Sequence, residues 1–132
     1  MPIARRWLRE AIRQGPSIPM AYLDLARVPG TSSNQAQSHI REAHERGPGW
    51  ADPLKAWGDA LFVRRDWRGA ATKYAEAAER APRRGVLHLA WGRALLLTGR
   101  RDEALEKFAL ASRMDHSVAD RARLAKYRNL AN

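Results

Sequence analysis

A self-similarity at an offset of 34 residues constrains this chain more than any other feature. Residues 51–84 align with 85–118 without a gap, and Ala56/Ala90, Trp57/Trp91, Gly58/Gly92, Ala60/Ala94, Leu61/Leu95, Ala70/Ala104, Lys73/Lys107, Ala75/Ala109 and Ala77/Ala111 are identical across it. Most of the matched residues are small or apolar, so the repetition governs how helices pack. Small side chains are what let two helix axes approach closely. Each unit carries two helical patterns, and a period of this length with two helices per unit specifies a solenoid that stacks helical hairpins.

The first unit runs Leu54, Trp57, Gly58, Leu61, Ala70, Tyr74, Ala77, Pro82, and the second Trp91, Gly92, Leu95, Gly99, Ala104, Phe108, Ala111. This pattern resembles the tetratricopeptide repeat. The resemblance implies an all-α, right-handed α-α superhelix in which the glycine and alanines bring the hairpin together, the aromatic residue fills the gap and the proline closes the unit. Three positions depart from the pattern: His88 in the first helix, Arg65 where the inter-helix turn often has glycine, and His116 in place of the closing proline.

The same phase extends outward on both sides. Pro48 precedes Pro82 by one period, and Ala36, Ile40 and Ala43 stand where Ala70, Tyr74 and Ala77 stand in the next unit. Its first helix is degenerate, with Asp24 at the glycine position and Arg27 at the large apolar one. Leu8–Pro16 in turn parallels Ile40–Pro48 at an offset of 32. The chain therefore reads as one solenoid domain over 1–132: an orphan second helix at 1–16, a degenerate repeat at 17–50, repeats at 51–84 and 85–118, and a capping helix at 119–132. Eight helices are expected, at about 3–14, 18–28, 34–46, 51–64, 67–81, 85–98, 102–114 and 118–130. The breaks carry Gly, Pro and Ser, and Asp66 and Asp102 read as N-caps or first-turn acids. The Arg-rich, acid-poor opening has the composition of a transit peptide, but its parallel with 40–48 runs through the closing Gly-Pro and favours a structural helix.

Function is expected on the face lined by successive first helices. Helical spacing selects Lys55, Asp59 and Phe62 from one repeat and Leu89, Arg93 and Leu96 from the next, with Ala21 and Leu25 continuing the stripe. Apolar area combined with fixed charge suits a peptide or protein segment, an acidic one in particular, and the resemblance implies a protein-binding scaffold or adaptor. Some tetratricopeptide proteins hold a C-terminal carboxylate between Lys, Asn and Arg. Here Asp59 stands one turn from Lys55, where that clamp has Asn, and argues against it.

Two other readings stay open. The net charge of +10 comes from 20 Arg and 4 Lys spread evenly along the chain, but Arg64, Arg65, Arg68, Arg100 and Arg101 gather at inter-helix turns along one edge. With Trp67 nearby, that edge could follow a nucleic acid backbone by charge and stacking. Alternatively, Trp7, Leu8 and Ile12 on the unpaired first helix mark self-association, as a homodimer or as part of a longer array. Trp57 and Trp91 read as core residues, and Trp7 and Trp67 as the exposed pair.

The chain holds no cysteine, which excludes disulfides, thiolate zinc sites and thiol nucleophiles. His39, His44, His88 and His116 have no metal-ligand spacing, and there is no phosphate loop, nucleophile elbow or H-E-x-x-H. No enzyme activity, cofactor or metal is expected, nor a membrane span, since no apolar run nears the roughly 20 residues that a bilayer requires. The cytoplasm is the expected setting.

Overall fold

The computed structural model describes residues 2–14, 19–114 and 125–130. The helices are α1 (Pro2–Gln14), α2 (Pro19–Ala26), α3 (Ser33–Arg46), α4 (Ala51–Val63), α5 (Trp67–Arg80), α6 (Gly85–Leu97) and α7 (Arg101–Ser112). Residues 125–130 are also helical, while most of the expected last helix lies outside the described residues. Each helix from α1 to α7 packs on the next, and no strand occurs among the described residues. The chain is an all-α stack of helical hairpins.

Two close approaches account for the period. A Cβ built on Gly58 would fall 2.6 Å from Tyr74 Cε1, and one on Gly92 would fall 2.5 Å from Phe108 Cε1. In each case the ring of the second helix lies directly on the backbone of the first, so any side chain there would be driven into a buried aromatic. The degenerate repeat exchanges the two sizes. Asp24 stands at the glycine position and Ile40, 5% exposed, at the ring position, so at this register the first helix carries the larger residue and the second a smaller one.

The hairpin turns repeat as well. Arg65 N donates to Phe62 O (3.0 Å) and Asp66 N to Leu61 O (2.9 Å), and one period later Gly99 N donates to Leu96 O (3.1 Å) and Arg100 N to Leu95 O (3.0 Å). This is the paired bonding of a Schellman helix end, which requires a left-handed residue. Gly99 adopts φ 83° without penalty, and Arg65 is held at φ 65° by the same bonds. Asp66 Oδ1 then caps α5 by accepting from Gly69 N at 3.0 Å, and Asp102 lies in the first turn of α7. Ser32 and Gln35 form a reciprocal capping box at the start of α3.

Polar clips gather where one repeat meets the next. Arg80 Nε donates to Pro48 O at 2.8 Å, Arg84 pairs with Asp52, and buried His88 bonds Pro82 O through Nε2 at 2.8 Å. Pro48 and Pro82, one period apart, thus both offer their carbonyl to the neighbouring structure.

Candidate functional site

Five of the six groove residues selected by spacing surround one small cavity. Lys55, Asp59 and Phe62 come from α4, Leu89 and Arg93 from α6, and Tyr74 reaches up from α5; the space they enclose is about 70 Å³. Leu96 is not part of it and packs, partly buried, against the core.

Charge is distributed unevenly around this cavity. The Asp59 carboxylate accepts from Lys55 Nζ at 2.8 Å and from the Tyr74 hydroxyl at 2.5 Å. Burial first, and then the bond to Asp59, push the Tyr74 phenol well above the usual tyrosine range. Arg93 is treated differently. Its guanidinium lies 4.4 Å from the Phe62 ring centroid and 5.1 Å from that of Tyr127, with no carboxylate partner among the described residues. Stacking between rings fixes the plane of the guanidinium and leaves its edge donors free. Tyr127 itself stacks on Phe108 at 6.1 Å.

Leu89 departs from its expected role. It is 2% exposed and belongs to the core cluster around Ala70, Tyr74 and Phe108, because α6 settles between α5 and α7, whose residues in that cluster include the small Ala70, Ala71, Ala104 and Ala111. It floors the cavity and offers no surface. Ala21 and Leu25 are buried too, at 6% and 4%, so the stripe does not continue along α2. Spacing alone missed Tyr74, whose hydroxyl was the available signal: a buried phenol needs a partner, and Phe108 one repeat later has none to satisfy.

The remaining candidates fall as follows. Arg64, Arg65, Arg68, Arg100 and Arg101 are all exposed at the α4–α5 and α6–α7 turns, Arg100 being paired with Glu103 at 2.8 Å. Trp67 is half-buried, edge-on to Phe62 at 4.7 Å, so it does not join Trp7 as an exposed pair. Trp7 is 73% exposed and Leu8 half-buried; the side chain of Ile12 lies outside the described residues. Trp57 and Trp91 are part-exposed rather than core, and each lies beneath a lysine. Among the described residues no cluster of His, Cys, Asp or Glu is suited to a metal ion, and no helix is long and apolar enough to cross a membrane.

The period, the glycine–ring contacts and the hairpin stack define a helical solenoid of tetratricopeptide type. Solved structures agree. A crystal structure of MamA superposes with a TM-score of 0.75 at 15% identity, covering 96% of this chain and 84% of that one. TTC0263, a thermophilic TPR protein in Thermus thermophilus, superposes with a TM-score of 0.75 at 20% identity over 93% of this chain and 70% of that one. No family model matches the sequence, and no curated protein matches it.

Proposed function

We propose that this protein is a non-enzymatic interaction scaffold that binds a segment of a partner polypeptide on the face formed by α4 and α6. The observation that carries this reading is Arg93. It is a cation oriented by two aromatic rings, open to an acceptor, beside a small cavity whose other charges are already paired with each other. An acidic side chain of the partner would take its free donors, while Phe62 and the partly buried Leu96 provide apolar area. The fold supports the reading, since stacked hairpins present a preformed surface at little ordering cost.

Affinity capture from bacterial lysate, with and without nuclease, tests it. The parent chain is compared with Arg93→Glu, a change at a part-exposed position that leaves the core intact. A partner band that survives nuclease and vanishes in Arg93→Glu is the expected result. Capture that is lost to nuclease and indifferent to Arg93 would transfer the function to the arginine edge at the turns.

A further inference from the structure

Trp57 and Trp91 occupy the same place in successive repeats and differ in what covers them. Lys73 Nζ lies 3.9 Å from the Trp57 ring centroid, and Lys107 Nζ lies 4.0 Å from that of Trp91. Each indole thus carries a cation from the second helix of its own repeat. Trp57 carries another, because Arg41 of α3, the second helix of the preceding repeat, sets its guanidinium carbon 5.5 Å from the same ring. One period after Arg41 stands Ala75. Trp91 accordingly has no second cation among the described residues; its further neighbour is the His88 ring, 6.4 Å away on the same helix.

Where the equivalent of Arg41 would lie there is a cleft of about 580 Å³ between α5 and α7. Trp91 and Leu95 line it from α6, Ala75, Glu76 and Glu79 from α5, and Glu103 from α7. Arg68 and Arg100 also border it, and Arg100 is paired with Glu103 at 2.8 Å. Glu76 holds Lys73 at 3.3 Å and Glu79 holds Arg80 at 3.7 Å. A carboxylate has about four acceptor positions, so one cation does not saturate it. The lining itself holds three carboxylates and two arginines in a chain whose net charge is +10, with Lys73 and Arg80 paired at its margin and Lys107 over Trp91. This cleft is separate from the cavity beside Arg93 and opens between second helices.

We infer that the cleft takes an arginine side chain of a partner polypeptide, its guanidinium stacked on Trp91 as that of Arg41 stacks on Trp57. Arginine fits better than lysine because a planar guanidinium can lie on the indole and still direct its donors sideways to Glu76 and Glu79. The protein already makes this contact once within its own chain. At Trp91 it omits the side chain and keeps the acids, since Glu76 and Glu79 are the period-equivalents of Glu42 and Glu45.

The test is an NMR titration of the full chain with the peptide acetyl-Ala-Arg-Ala-amide, following the indole N–H signals, with that of Trp91 assigned from Trp91→Phe. A saturable shift at Trp91 and none at Trp57 is expected. Binding should weaken about tenfold when citrulline, a neutral isostere, replaces the arginine. Ala75→Arg supplies the missing side chain in cis and should abolish the shift. The double variant Glu76→Gln/Glu79→Gln, at surface positions, should weaken binding severalfold with the fold unchanged by circular dichroism. The inference is overturned if no saturable shift appears at tens of millimolar peptide, if the citrulline peptide binds equally well, or if either variant binds like the parent.

Discussion

Replacing Gly92 by alanine sets two known effects against each other, and the structure determines which wins. In an exposed helix interior the change stabilises by about 1 kcal/mol, because glycine loses more backbone freedom on folding. At this position the added methyl would stand 2.5 Å from Phe108 Cε1 and 2.7 Å from Phe108 Cδ1. Ordinary contact needs roughly 1 Å more, and the ring has nowhere to go: Phe108 is fully buried against Ala104, Ala111 and Tyr127. Overpacking of this kind costs about 1–3 kcal/mol, and near the upper end when the obstructing group is a rigid ring. The expected net result is a loss of about 1–2 kcal/mol, or roughly 3–6 °C in Tm for a chain of this size. Urea unfolding followed by far-UV circular dichroism measures it directly. Gly49→Ala, where an added Cβ meets nothing within 4 Å, is the control and should change stability by less than about 0.5 kcal/mol. The Asp24–Ile40 pair indicates the remedy, so Phe108→Ile should cost less in the Gly92→Ala background than in the parent. A Gly92→Ala variant as stable as the parent would refute the packing role assigned to the repeated glycine, which would then be dispensable.

Three further outcomes follow from the geometry. Arg65→Gly relieves a left-handed arginine at φ 65° and should raise stability by about 1 kcal/mol, measured by the same urea titration. The raised Tyr74 phenol holds its proton more tightly folded than unfolded, so its contribution is complete below the ordinary value of 10.0 and is lost as pH climbs above it. Tyr74→Phe should therefore show a flatter alkaline stability profile than the parent. Leu89→Glu places a carboxylate in a core position and should cost at least about 3 kcal/mol or prevent folding, read as loss of the cooperative thermal transition.

The fold was legible because its determinants are local and repeated. Gly58 with Tyr74 and Gly92 with Phe108 announce themselves as small and large residues at one fixed separation, and the structure presses each pair together. The surface was only partly legible. Spacing brought Lys55, Asp59, Phe62 and Arg93 to one cavity but carried Leu89 along with them, because periodicity reports which side of a helix a residue occupies and not how deeply that helix sinks. Alanine-rich hairpins sink far, so Leu89 became core. The identity of Lys73 and Lys107 was visible in the alignment, but its meaning required the tryptophans beneath them: a cation over an indole keeps the ring half-exposed and moves it out of the core where its apolar character placed it.

Where a repeat is held constant, packing explains it; where it varies at a fixed register, the variation needs another cause. Asp59, Arg93 and Tyr127 stand one period apart along the first helices, an acid, a base and an aromatic at the same position. Packing does not require that sequence of side chains, since the neighbouring glycine and ring contacts repeat with little change. Asp59 is consumed internally by Lys55 and Tyr74, and Tyr127 leans on Phe108 while supporting Arg93. Both flanking residues thus serve to hold a surface in place, and of the three Arg93 is the one whose hydrogen-bonding capacity the described residues do not use. Arg41 and Ala75 mark the second site in the same way on the opposite set of helices, where the departure is an omission. In a solenoid whose every unit must pack like the last, such departures are where selection for a partner can act without disturbing the stack.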